Sequence, residues 1–85
     1  MTGRYHRLLL QIMRGTSDAN IRFDDLCGML RQWGFDERIR GSHHIFRKQG
    51  VEERVNLQRS DGEAKPYQVR QVRSIILRYK LAIEE

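Results

Sequence analysis

Residues 35–58 have the sequence FDERIRGSHHIFRKQGVEERVNLQ, and this stretch decides the fold. Its side chains alternate with a period of two, which is typical of β-strands. Gly41-Ser42 suits a tight turn or bulge, and Gln49-Gly50 suits a hairpin turn. The pattern predicts three antiparallel strands: Phe35 to Arg40, His43 to Lys48, and Val51 to Gln58.

Helical periodicity appears on both sides of this stretch. Apolar residues spaced i, i+3, i+4 and i+7 predict an N-terminal helix from about Arg4 to Arg14 and a second helix over 24–33. We expect the carboxylate of Asp24 to cap the second helix. A proline suits a first helical position, so we predict a final helix from Pro66 to about Tyr79.

A three-stranded sheet cannot bury both faces, so the helices should cover one face and leave the other in water. We therefore predict an α+β fold: helix, three-stranded antiparallel sheet, helix, with an extra N-terminal helix. The single cysteine, Cys27, is predicted to be a small apolar core residue, and the lack of any internal disulfide favours a reducing cytoplasm. The apolar runs are far too short for a membrane span, so no membrane partner is expected.

The positive charge is concentrated in one part of the chain. The formal net charge is +5, yet residues 38–80 alone hold eleven basic and four acidic side chains. A localised positive field of this kind is typical of proteins that bind a nucleic acid, an anionic membrane or an acidic protein. A membrane surface fits poorly, because Val69, Val72 and Ile76 of the final helix are needed for the core. A basic surface that only keeps the protein in solution is the other interpretation.

Two adjacent histidines, His43 and His44, lie in the middle predicted strand. Neighbouring strand residues point to opposite faces, so the two imidazoles cannot readily bind one metal ion, and we predict no metal site and no cofactor. An imidazole exchanges protons near neutral pH and arginines hold phosphate, which together suit metal-independent RNA cleavage. Alternatively, both histidines are ordinary strand residues, one packed and one solvated.

Three segments carry a family resemblance: GSHHIF at 41–46, VNLQ at 55–58 and AKPYQVR at 64–70. Together they resemble the HicA family, small toxins of bacterial toxin–antitoxin pairs that act as mRNA interferases. The resemblance covers roughly residues 21–81 and implies a fold like that of a double-stranded-RNA-binding domain. It divides the chain into an N-terminal helical extension, 1–20, and a HicA-like RNA-binding and endonuclease domain, 21–85.

The resemblance implies a cytoplasmic, metal-independent endoribonuclease whose catalytic residue is the first histidine after Gly-Ser, here His43. It also implies an mRNA substrate, a HicB-type antitoxin as protein partner, and assembly as a homo-oligomer or a toxin–antitoxin hetero-oligomer. Many minimal members carry a histidine just after the proline before the last helix, where this chain has Tyr67. His44 and Tyr67 are the two candidates to replace it.

We predict that RNA is held by one hydroxyl and six basic side chains: Arg40, Ser42, Arg47, Lys48, Lys65, Arg70 and Arg73. The last two are expected on the outward face of the final helix. The alternative function is a non-catalytic module resembling a double-stranded-RNA-binding domain. Such a module would bind RNA in a salt-sensitive way and would be unaffected by loss of His43.

Overall fold

The computed structural model describes residues 4–15 and 18–81. The elements in chain order are α1 (His6–Arg14), α2 (Phe23–Gln32), β1 (Asp36–Arg40), β2 (His43–Lys48), β3 (Val51–Gln58) and α3 (Pro66–Tyr79). The strands form one antiparallel sheet in the order β1-β2-β3. The predicted α+β fold, with two helices and a three-stranded sheet preceded by an extra helix, is confirmed.

The turn between β1 and β2 sets which side chains face which way. Gly41 has a φ of 59°, a left-handed conformation that glycine adopts at little cost because it lacks a Cβ atom. The turn occupies only Gly41 and Ser42, so Arg40 pairs directly with His43. The alternation along β2 then places His43 and Ile45 on one face of the sheet and His44 and Phe46 on the other.

The helices cover the face of the sheet that carries Phe46. Phe46, Val55 and Leu57 are fully buried there, and the ring of Phe23 from α2 meets the ring of His44 edge-on at 4.9 Å. α1 belongs to the same core. The core residues are Ile12, Ile21, Phe23, Leu26, Cys27, Met29, Leu30, Phe35, Phe46, Val55, Leu57, Ala64, Val69, Val72, Ile75 and Ile76. In the part of the chain that the structure describes, no helix covers the opposite face of the sheet, and we call that face the open face.

The prediction that Asp24 caps α2 is wrong. The N-cap is Arg22, and no side chain among the described residues forms a capping hydrogen bond there. Phe23 is buried and already helical, so Asp24 lies inside the first turn, where its carboxylate accepts a hydrogen bond from Arg59 at 2.8 Å. Because the ring of Phe23 is buried in the core, the helix begins at Phe23, one residue before the expected cap, Asp24.

The predicted division at residue 20 falls partly outside the described residues, which lack 1–3, 16–17 and 82–85. Within the described part, α1 contributes the fully buried Ile12 to the common core. None of the helices described in 4–15 and 18–81 has the length and apolar character that crossing a membrane requires.

Candidate nucleic-acid interface

His43 lies exposed on the open face, at the end of the sheet where β1 turns into β2. Its cross-strand neighbours are Arg40 on β1 and Gln58 on β3. The imidazole Nδ1 is 3.1 Å from Oδ1 of Asn56. Next to it, Gln58 Nε2 donates a hydrogen bond of 3.0 Å to Ser42 Oγ. Because that bond uses a lone pair of Ser42, its hydroxyl hydrogen can still be donated to a ligand.

A groove of about 610 Å³ runs along the open face and includes Arg40, the cross-strand neighbour of His43. None of its four arginines forms a salt bridge with another side chain in the described ranges. Unpaired guanidinium groups attract anions and bind phosphate with two parallel hydrogen bonds. The groove is lined by Asp36, Glu37, Arg38, Arg40, Ile45, Arg47 and Arg54.

His44 occupies the opposite face and is engaged there. Its Nδ1 lies 2.7 Å from Oε2 of Glu37, whose other oxygen accepts a hydrogen bond of 2.7 Å from Arg31 Nε. The side chain of His44 is 21% exposed and packs against Phe23. These contacts tie His44 to the helical layer, so it does not share a surface with His43.

The pKa of Glu37 lies below its usual value because Arg31 and, to a lesser degree, His44 hydrogen-bond to the charged carboxylate, although burial opposes this. A lowered folded-state pKa contributes stability that is present above about pH 4.5 and is lost as the pH falls through the folded-state pKa.

We expect Glu37→Gln to lose less stability on acidification than the wild type. Thermal melts between about pH 3 and pH 7 measure this, and parallel pH profiles would contradict it.

Cys27, Glu37 and His44 form a cluster whose potential ligand atoms all lie within 4.8 Å of one another. Both oxygens of Glu37 are already bonded, by Arg31 and His44. Burial, with the nearby charge of Glu37, raises the pKa of the Cys27 thiol to about 12. A cation would have to displace Arg31 from Glu37 and remove the proton of the Cys27 thiol. The cluster is therefore better described as the Arg31–Glu37–His44 hydrogen-bond network next to a buried thiol than as a metal centre.

Arg73 is not on the outward face of α3, so that prediction is wrong. Its Nε donates a hydrogen bond of 2.8 Å to the carbonyl oxygen of Ile12, and its Nη2 bonds to the carboxylate of Asp18. Its side chain is 20% exposed, whereas that of Arg70 is 58% exposed and only approaches Asp18, at 3.7 Å. The guanidinium of Arg73 fastens the end of α1 to α3, on the side of the sheet away from the open face.

We expect Arg73→Ala to lower the free energy of unfolding by about 1–3 kcal/mol, because it leaves the carbonyl of Ile12 and the carboxylate of Asp18 without their donor. Arg73→Lys should recover only part of this, since one ammonium cannot replace a two-pronged guanidinium. Arg70→Ala is the control and should change stability by under about 0.5 kcal/mol. Urea unfolding measures all three, and equal losses for Arg70→Ala and Arg73→Ala would contradict the assignment.

The remaining predicted RNA contacts lie in three places. Arg40, Ser42 and Arg47 lie on or beside the open face. Lys48 extends its Nζ towards Gly34, near the end of α2. Lys65 precedes α3, where its backbone N–H donates to Gln68 Oε1 at 3.2 Å. The structure therefore brings only three of the seven predicted contacts to the sheet face that carries His43, and of these only Arg40 and Ser42 lie next to it.

Three residues of the open face were missed from the sequence: Arg38, Arg54 and Asn56. Arg38 and Asn56 both pair with Ile45, from opposite sides, and Arg54 precedes the buried Val55. Period-two alternation could have found them, because each is two residues from another position on the same face. Tyr67, the other candidate for a second proton-transfer group, is 57% exposed at the start of α3.

Fold and site together define a class of protein: a small α+β domain resembling a double-stranded-RNA-binding domain, with a histidine exposed on a basic sheet face. A family model described as HicA toxin of bacterial toxin-antitoxin matches residues 23–79. The chain therefore belongs to the HicA toxin family, and membership implies an antitoxin partner. The match spans α2 to α3 and leaves α1 outside. Comparisons with curated proteins and with solved structures found no match.

Proposed function

We propose that this toxin is a cytoplasmic endoribonuclease that cleaves mRNA without a metal ion, with His43 as its proton-transfer residue. One observation carries the proposal: an exposed imidazole lies on the same sheet face as four arginines that form no salt bridge with any side chain the structure describes. In RNA cleavage the 2′-hydroxyl oxygen attacks the adjacent phosphorus, and the bond from phosphorus to the 5′-oxygen breaks. An imidazole can move the proton that this step requires.

The second requirement of the reaction is positive charge near the phosphate, and the arginines supply it. Negative charge accumulates on the phosphate oxygens as the 2′-oxygen attacks, and guanidinium groups that are already in place stabilise it. Arg40 is the direct cross-strand neighbour of His43, and such pairs have Cβ atoms about 5 Å apart. Arg47 lies four residues along β2, roughly 13 Å away, so it would hold a more distant phosphate of the same strand.

Cleavage of a short RNA by the purified toxin in the presence of EDTA tests the proposal. The expected products end in a 2′,3′-cyclic phosphate and a 5′-hydroxyl. A matched RNA with a single 2′-deoxy nucleotide at the cleavage position should resist, since it lacks the attacking oxygen. Cleavage that needs a divalent ion, or that proceeds through the deoxy position, would contradict the proposed chemistry.

We propose that the antitoxin is of the HicB type and neutralises the toxin by covering the open face. Expression of the toxin alone should arrest growth. Co-expression of the small protein encoded by the neighbouring reading frame should relieve the arrest. Amide hydrogen exchange on the complex should show protection on β1 and β2 around His43, and protection confined to the helices would contradict this mode of inhibition.

The arginine groove by itself also favours the alternative, a non-catalytic RNA-binding module, because it would hold RNA whether or not His43 reacts.

With either function, we expect Arg54→Ala to weaken RNA binding and to reduce the magnitude of the slope of log affinity against log salt concentration by about 0.7–0.9. Arg14→Ala on α1 is the control and should leave the slope unchanged. Fluorescence anisotropy over a salt series measures both, and equal slopes for Arg54→Ala and wild type would place the RNA elsewhere.

A further inference from the structure

The side chain of Asn56 lies within hydrogen-bond distance of the imidazole of His43. It lies on β3, between Val55 and Leu57, both of which are fully buried. Those two neighbours hold the strand in place, so Asn56 must project onto the open face. His43 pairs directly with Gln58, and Asn56 is its diagonal neighbour, within reach of a ring nitrogen. The distance from Nδ1 to Oδ1 is 3.1 Å.

With the amide oxygen of Asn56 facing Nδ1, this contact favours one position for the hydrogen of the neutral ring. An amide oxygen can only accept a hydrogen bond, so Nδ1 of His43 must be the donor. A neutral imidazole has one N–H, and the other nitrogen therefore keeps its lone pair. With the hydrogen on Nδ1, the lone pair is on Nε2. His43 thus presents a proton acceptor to a ligand on the open face.

We propose that Asn56 is a positioning residue that holds His43 as the Nδ1–H form, so that Nε2 acts as the general base towards the 2′-hydroxyl of RNA. This rests on the proposed nuclease function. The 2′-hydroxyl proton passes to Nε2, a bond forms between the 2′-oxygen and phosphorus, and the bond to the 5′-oxygen breaks. The 5′-oxygen takes a proton from water, and the imidazolium returns its proton to solvent.

The two histidines have different hydrogen-bond partners, and the neutral partner of His43 suits a general base. His44 also uses Nδ1 for its side-chain contact, but with the carboxylate of Glu37 on the helical side. That carboxylate is in turn held by Arg31. Asn56 is uncharged, so it can orient the ring of His43 without adding negative charge next to the RNA. A neutral partner suits a base that must approach a phosphate.

The form of the ring can be measured without any RNA. Long-range proton–nitrogen NMR spectra distinguish Nδ1–H from Nε2–H imidazoles at a pH where the rings are neutral. The chain has three histidines, so the signal lost in His43→Ala identifies His43. We expect the Nδ1–H form in the wild type and in Asn56→Asp, whose carboxylate still accepts the bond. We expect a mixture of both forms in Asn56→Ala.

Cleavage kinetics supply the second readout. Asn56→Ala should lower kcat by about 10- to 100-fold with little change in KM, which is less than the full contribution of an acid–base group. Asn56→Asp should recover part of this loss. Glu52→Gln, an exposed change on the same strand, should match the wild type in both readouts. Thermal melts check that each variant is folded.

The outcomes separate the two proposals. An Nε2–H ring in the wild type, or an unchanged ring form and kcat in Asn56→Ala, would overturn the role of Asn56. A wild-type protein that shows the Nδ1–H ring but cleaves no RNA would instead overturn the nuclease function, and with it the base role of His43. An Nδ1–H ring together with a kcat loss that Asn56→Asp partly rescues would support both.

Discussion

Replacing His43 by alanine is expected to reduce RNA cleavage by about 10²- to 10⁴-fold, the usual contribution of a positioned acid–base side chain. The imidazole is exposed, and within residues 4–15 and 18–81 its side-chain hydrogen bond is to Asn56 alone, so the fold should be retained. RNA affinity should also be nearly unchanged, because the arginines of the groove remain. Initial rates of RNA cleavage at saturating protein measure the effect, and anisotropy measures the affinity.

His6→Ala is the matched control, since it removes a histidine from α1, on the opposite side of the protein. It should leave the cleavage rate unaltered. In cells, growth arrest should disappear with His43→Ala and persist with His6→Ala. If His43→Ala cleaved RNA at the wild-type rate, or arrested growth as strongly, the catalytic assignment would be wrong and the non-catalytic binding function would be favoured.

Replacing Ile12 by alanine is expected to lower the free energy of unfolding by about 2–4 kcal/mol, although α1 lies outside the matched family segment. Ile12 is fully buried in the common core, so truncation leaves a cavity that the neighbouring helices can fill only in part. For a domain of this size, such a loss corresponds to a fall in Tm of roughly 8–32 °C. Calorimetry or thermal circular dichroism measures it.

Leu10→Ala provides the control within the same helix. Leu10 is 43% exposed, so its truncation should cost under about 0.5 kcal/mol. A large difference between the two variants would show that α1 is a packed part of the domain. Similar, small effects would show instead that α1 is a separable addition to a self-sufficient domain formed by residues 21–85.

The strand boundaries could be predicted because they depend on local chemistry. β2 and β3 begin and end where the alternation and the turns at Gly41-Ser42 and Gln49-Gly50 place them. The start of α3 at Pro66 is equally local, since the fixed φ of proline suits the first helical position. The start of α2 was misplaced because the burial of Phe23 depends on the whole core.

The site was only partly predictable, for the same reason. His43, Arg40 and Arg47 follow from the alternation along two strands. The roles of Arg73 and His44 do not follow from the alternation, because their partners are distant in sequence or lie on another element. Arg73 bonds to a carbonyl 61 residues earlier in the chain. No local pattern indicates whether an arginine will meet phosphate or fasten a helix.

The sequence by itself determined that His43 and His44 point to opposite faces, because adjacent side chains on a strand must do so. The tertiary structure alone decided which face stays open. α1, α2 and α3 bury apolar residues in one core together with Phe46, Val55 and Leu57, so the face of His44 is covered and the face of His43 meets water. Burial of apolar surface is the main driving force for folding, and it depends on contacts across the whole chain. Because it covers the face of His44, His43 stays exposed on the face that carries the arginines.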